Sequence, residues 1–176
     1  MDRTMTDKTV GTQLKWLWLA VLVLAIDLGT KALASTLLAY GQPVPVMPMF
    51  NLTLLHNTGA AFSFLAEAAG WQRWFFVVLA LLVSVFLIGW LRRLKPRETW
   101  TAIAIALILG GALGNVHDRV MHGYVVDFLH FYWRDWHFPA FNLADTAITL
   151  GAAMMILDVF RKPAPGGNAN RSDKPS

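Results

Sequence analysis

The sequence predicts an all-α polytopic membrane protein, with four transmembrane helices and a small extracytoplasmic β element. Three observations carry that expectation. Of the 176 residues, 56% are hydrophobic and only 15% are charged, a balance that suits lipid better than water. The apolar residues gather in four runs, each long enough to cross a hydrocarbon core of roughly 30 Å at about 1.5 Å per helical residue. Most of the basic residues lie on one side of those runs.

The first run, about 16–39, is interrupted by Asp27 and Lys31. Its charged start, the apolar stretch Trp16–Ile26 and Ala32-Leu33-Ala34 also resemble a cleavable signal peptide. However, Asp27 ends the apolar stretch early, Lys31 precedes the supposed cleavage site, and apolar residues resume after it. The segment is therefore assigned as a span. Asp27 and Lys31 are one helical turn apart, which suits a pair that neutralises itself inside the bilayer. Positioning of a substrate or a loop is the alternative role.

The next segment is not a span. Pro43, Pro45 and Pro48 interrupt any helix, Phe50-Asn51-Leu52-Thr53-Leu54 alternates apolar and polar as a strand does, and Asn57-Thr58-Gly59 is a turn signal. The expected β element covers about 43–66 and lies on the bilayer, with Phe62, Phe64 and Leu65 dipping into it as part of a lid.

Spans two and three are expected at about 74–91 and 99–117, joined by the basic link Arg92-Arg93-Leu94-Lys95-Pro96-Arg97. In the third, Gly110 and Gly114 form a face that lets another helix approach closely. Beyond them Asn115, Asp118 and Arg119 cluster at the helix end. Asn115 has the chemistry to bind a peptide backbone, while Asp118 and Arg119 suit a surface pair or a functional role equally well.

An outer loop of about 118–138 leads to the fourth span at about 139–160. Asn142, Asp145 and Thr149 are spaced to share one face of that helix. There is one membrane-embedded domain, 14–162, between tails 1–13 and 163–176, and the composition of the second tail is that of a disordered segment.

Charge sets the direction. The N-terminal tail, the link after the second span and the C-terminal tail hold 11 of the 15 basic residues, and the positive-inside rule places them in the cytoplasm. Both termini are then cytoplasmic, and the 40–72 and 118–138 segments face outward.

Composition also excludes several functions. With no cysteine, the chain has no disulfide, thiol nucleophile or cysteine-ligated metal. The net charge of +4 does not form a basic patch with interleaved aromatics, so nucleic acid is not an expected partner. His56, His117, His122, His130 and His137 do not have the spacing of a metal site. On a helix, His117 and His122 would point about 140° apart, and interfacial histidines facing water are the better account.

Two carboxylates remain. Asp127 lies within Val125-Val126-Asp127-Phe128-Leu129, and Asp145 lies about one turn into the last helix. A carboxylate in an apolar setting is costly and marks function. Two that share a low-dielectric site hold one proton between them and suit aspartic hydrolysis. A proton-coupled transporter and a helix-binding assembly factor are the rivals. The first would need polar residues all the way across the bilayer, and the second would tolerate Asp→Asn at both positions.

Five blocks occur in order: Asp27-Leu28-Gly29-Thr30-Lys31; Asn57-Thr58-Gly59-Ala60-Ala61-Phe62; Gly110-Gly111-Ala112-Leu113-Gly114-Asn115 with Asp118-Arg119; Val125-Val126-Asp127-Phe128; and Phe141-Asn142-Leu143-Ala144-Asp145. Together they closely resemble the bacterial lipoprotein (type II) signal peptidases, from about residue 16 to 160. The resemblance implies an aspartic endopeptidase of the bacterial inner membrane, active near the periplasmic face. Its substrate would be a diacylglyceryl-prolipoprotein, cut immediately before the lipidated cysteine. It further implies Asp127 and Asp145 as the catalytic pair, with Asn57, Gly59, Asn115, Arg119, Asn142 and Ala144 lining or supporting the site. Asp27, Lys31 and Asp118 would be structural polar residues. No metal or other cofactor is expected, the only other partners are membrane lipids, and the expected state is a monomer.

Overall fold

The computed structural model describes residues 12–59 and 70–161. A 3-10 turn, Thr12–Trp16, runs into α1 (Leu17–Leu37), and β1 (Val44–Met47) and β2 (Phe50–Asn57) follow. Next come α2 (Trp71–Arg93), α3 (Thr99–His122), β3 (Val125–Trp133), β4 (Trp136–His137) and α4 (Leu143–Arg161). Among the described residues, four helices are long and apolar enough to cross a membrane. With the small antiparallel sheet they fit a polytopic membrane protein.

Residue size decides which helix sits in the middle. The apolar stretch of α3 is 67% buried, against 22%, 22% and 17% for the other three, and its inward positions include the small residues Ala102, Ala104, Ala106, Gly110, Gly111 and Gly114. A methyl group on Gly110 would lie 2.6 Å from Val23 Cβ of α1, and one on Gly111 would overlap the Ala144 carbonyl of α4. On α4, a methyl on Gly151 would lie 2.6 Å from the Ala104 carbonyl. Lipid is as apolar as a leucine side chain, so close backbone approach of this kind is what holds helices together in it. On the other side of α3, Leu87, Leu91 and Leu94 pack against Ala102, Ile105, Ala106 and Leu109. The rest of α2 turns Val78, Leu82, Val85 and Phe86 outward.

The sheet has the order β1-β2-β3-β4, all antiparallel. This changes the expected division of the chain, because the two segments expected to face outward pair with each other rather than forming a β element at 43–66 and a separate loop at 118–138. Strand β2 lies against β3, with Asn51 opposite His130 and Asn57 opposite Val125.

Helix α3 also runs past its expected end, so Asp118 and Arg119 are helical. It stops at Gly123, whose φ of 88° is a left-handed conformation that closes the helix by a 3.2 Å bond from its N–H to the Arg119 carbonyl. Helix α4 starts at Leu143, later than 139, because the segment before it is held in extended form by β3: Phe141 exchanges backbone bonds with Leu129 at 2.9 and 3.0 Å. At the other end, α1 stops at Leu37 and Leu38 is extended. Phe62, Phe64 and Leu65 of the expected lid lie outside the described residues, as do 1–11 and 162–176 of the tails.

Candidate active site

Strand β3 carries the first carboxylate. Val125, Val126, Asp127 and Phe128 are all buried, so this end of the strand is covered on both faces and Asp127 is 2% exposed. The register places Leu55 opposite Asp127 and Asn57 opposite Val125, so Asn57 is the diagonal neighbour of Asp127. Its Nδ2 donates to Asp127 Oδ2 at 3.0 Å. The Oδ1 of Asn57 accepts the Gly59 N–H at 2.9 Å. That turn depends on Gly59, which has a φ of 96° and on which a Cβ would lie 2.9 Å from the Phe76 ring.

The start of α4 carries the second carboxylate. Asn142 is the cap of the helix rather than part of it: its Oδ1 accepts the Asp145 N–H at 2.9 Å, an interaction that satisfies a free amide of the first turn. Its Nδ2 donates to Asp127 Oδ1 at 2.7 Å and lies 3.2 Å from the Val126 carbonyl. One fully buried asparagine therefore binds the side chain of one aspartate and the backbone of the other. Thr149, expected to continue this face into the bundle, is exposed. Because Asn142 lies outside the helix, the three-residue face does not form.

Helix α3 supplies the third side. Asn115 Nδ2 donates to Asp145 Oδ1 at 2.7 Å, and its Oδ1 accepts from Lys31 Nζ at 3.0 Å. Lys31 also pairs with Asp27 at 2.8 Å and with Asp118 at 3.0 Å. The Asp27–Lys31 pair is therefore not self-contained. Asp27 Oδ1 accepts the Ala144 N–H at 2.8 Å, and Asp118 Oδ2 accepts the Val126 N–H at 3.0 Å. The three charges join α1 to the backbones next to both aspartates.

Ala144 and Asn115 both have supporting contacts at the site, and Asn115 does not have the free amide that peptide binding would use. Ala144 is completely buried and contributes its N–H. Both ends of the Asn115 amide are already bonded within the protein. Arg119 donates to the Asn115 carbonyl at 3.3 Å and lies 5.2 Å over the Phe76 ring. Its charge interacts with Asp145, Asp127 and Asp118. Burial, followed by the charge of Asp145, pushes the Asp127 carboxyl up to about 7 against the pull of the Asn57 and Asn142 hydrogen bonds.

The histidines are less dispersed than their spacing suggested. The His117 and His122 rings meet edge to face at 6.2 Å, because His122 ends the helix and leans on Tyr124 beyond Gly123. His56 stacks on the same Tyr124 at 3.9 Å, and His130 lies 3.1 Å from His137 between ring nitrogens. Among the described residues, no group of three or more His, Cys, Asp or Glu is placed to hold a metal ion.

Sequence reasoning missed Phe76 and the backbone of Val126. An apolar residue within an apolar run carries no signal of its own. Only the strand register and the helix packing bring these two to the site.

A family model described as Signal peptidase (SPase) II matches residues 19–161. The chain is 54% identical over 160 residues to the lipoprotein signal peptidase of Pseudomonas paraeruginosa, covering 90% of this chain and 95% of that one. It is 57% identical over 145 residues to the lipoprotein signal peptidase of Acinetobacter baumannii, covering 82% of each. A solved structure described as a bacterial membrane enzyme structure by the in meso method at 1.9 A resolution superposes with a TM-score of 0.77 at 29% identity, covering 90% of this chain and 100% of that chain.

Proposed function

The chain belongs to the signal peptidase II family of aspartic peptidases that remove signal peptides from prolipoproteins, and on that premise we propose that Asp127 and Asp145 are its catalytic dyad. One observation carries the proposal: carboxylates from two separate elements meet at one end of the bundle, each held by an asparagine amide. With its carboxyl pushed up to about 7, Asp127 keeps a proton at neutral pH while the Asp145 carboxylate serves as base.

Asp145 takes a proton from a water molecule, which adds to the scissile carbonyl as Asp127 donates to the carbonyl oxygen. The C–N bond then breaks as the proton on Asp145 passes to the leaving amine, and one hydroxyl proton of the diol returns to Asp127 as the new carboxyl forms. Arg119 is half-buried, and its charge acts on both carboxylates. Its role is to hold the peptide backbone against them. Asn57, Asn115 and Asn142 fix the carboxylates and do not bind substrate. One chain supplies every residue of this mechanism, so a monomer suffices, and the proposed chemistry calls for no cofactor.

The cut falls immediately before the diacylglyceryl cysteine, whose lipid stays in the bilayer while the peptide reaches the dyad. Family and spans fit a multi-pass protein of the bacterial inner membrane. The basic residues at the end of the bundle away from the sheet support cytoplasmic termini, with the sheet and the dyad at the periplasmic face.

The test uses the purified full chain in detergent with a diacylated lipobox peptide and the same peptide without lipid. Asp127→Asn and Asp145→Asn are each expected to lower kcat by about four orders of magnitude or more, with the melting transition retained and only the lipidated peptide cut by the wild type. Full turnover by either variant removes that residue from catalysis. Chelator leaves the rate unchanged.

A further inference from the structure

Three asparagines turn an NH2 toward a dyad carboxylate, and in each the opposite end of the amide is held by a group that can only donate. For Asn57 that group is the Gly59 N–H, and for Asn142 it is the Asp145 N–H. An N–H cannot face an amide NH2, so each contact dictates which end of the amide meets the carboxylate. Asn115 is the exception in kind. The group behind it is the ammonium of Lys31, a side chain from another helix.

We infer that Lys31 is a positioning residue for the dyad: by holding Oδ1 of Asn115 it makes Nδ2 the end that donates to Asp145. The inference rests on the assignment of the dyad but goes beyond it. Lys31 is 3% exposed, so it does not touch substrate and acts only through Asn115. An ammonium has three protons, and here they meet Asp27, Asp118 and Asn115 at 2.8, 3.0 and 3.0 Å. The two carboxylates hold the ammonium in place, leaving it one proton to orient the amide. Without that proton, Asn115 Oδ1 keeps the 3.4 Å contact from Asn142 Nδ2, longer than an ordinary N–H···O bond, and an amide that flips sets its oxygen against the Asp145 carboxylate.

The experiment is a double-mutant cycle on the full chain in detergent with the diacylated peptide, combining Lys31→Met and Asn115→Ala and reading kcat, KM and the pH dependence of kcat. In the wild-type background, Lys31→Met is expected to lower kcat by about 10- to 100-fold, the range for one hydrogen bond to a charged group. KM should change little, and the acidic limb of the profile should move. In the Asn115→Ala background, Lys31→Met should add almost nothing to the loss in kcat. Lys31→Gln, which can present a donor or an acceptor, should be intermediate.

Where Lys31→Met does not fold, Asp27→Asn with Lys31→Met removes a charge of each sign, and Asp27→Asn alone, in both Asn115 backgrounds, is the reference for it. An equal loss of kcat in both backgrounds with the acidic limb unmoved overturns the proposal and leaves Lys31 as a brace between helices. That result is distinct from failure of the dyad itself, which would appear as turnover by Asp127→Asn or Asp145→Asn.

Discussion

The two halves of α3 are built on opposite plans. From Ala102 to Leu109 the helix packs apolar side chains against Leu87 and Leu91 of α2 and Leu94 just after it. From Gly110 onward it gives up side chains for glycine, then places Asn115 and Asp118 against charges from α1 and α4. The first half can hold the bundle together by close packing alone. The second half needs every polar atom paired, because an unpaired charge in a buried setting is far more costly than a lost apolar contact. Polar contacts return at the far end, where Thr101 bonds Asp158 at 3.0 Å and Gln13 bonds the Lys95 and Pro96 carbonyls. Ile105, Ala106 and Leu109 separate the two ends with a buried apolar layer. A proton-coupled transporter would need polar groups through that layer, so the division within α3 favours hydrolysis at one end over transport through the middle.

The sharpest way to break the division is Gly114→Ala. The added methyl would overlap Asp27 Oδ2, and that carboxylate cannot retreat because it is fixed by Lys31 and by the Ala144 N–H. Displacing it moves the start of α4, where Asp145 sits. We expect activity to fall by about 100-fold or more, the effect of misplacing a catalytic group by an ångström, with a marked loss of melting temperature. Unchanged kcat in a folded Gly114→Ala protein would show that the Asp27 bracket does not position Asp145.

Leu91→Ala tests the other half. Leu91 is 0% exposed in the apolar cluster, and emptying its site is expected to lower stability by about 2–4 kcal/mol while kcat at low temperature stays near the wild-type value. A loss of kcat at a temperature where the variant is fully folded would mean that the two halves are not independent.

The apolar half was more legible in the sequence than the polar half. Runs of apolar residues declare a span wherever they occur, and Gly110 and Gly114 declare a close helix contact. The polar half depends on partners that are remote in the chain, such as Lys31 with Asn115 and Asp27 with the Ala144 N–H. Sequence reading singled out Asp27, Lys31 and Asn115 by their chemistry and Ala144 by resemblance to a family, but paired Lys31 with Asp27 alone. It assigned Asn115 to peptide binding because a single asparagine on a helix gives no sign that both ends of its amide are used. Nor did local pattern show that β2 and β3 pair, which is what brings Asn57 to Asp127. The start of α4 was misplaced for a similar reason: the extended backbone of Phe141 is imposed by Leu129, not by its neighbours in sequence.

The smallest effect sharpens the contrast between the halves through pH. A carboxyl whose folded-state pKa lies above its unfolded value stabilises the fold below the unfolded value and loses that contribution as pH rises through the folded one. For Asp127 the window runs from about 3.8 to about 7. The wild-type melting temperature should therefore fall between pH 5 and pH 8 more than that of Asp127→Asn, which has no proton to lose at this position. The difference between the two proteins should amount to on the order of 2 kcal/mol across that range, and the shared proton of the pair keeps it from being larger. Leu91→Ala, by contrast, should lower the melting temperature by the same amount at every pH in the range, since the cluster that it empties is built from apolar side chains. Parallel curves for wild type and Asp127→Asn, followed by thermal denaturation in detergent, would mean that Asp127 is not the member of the pair that keeps the proton.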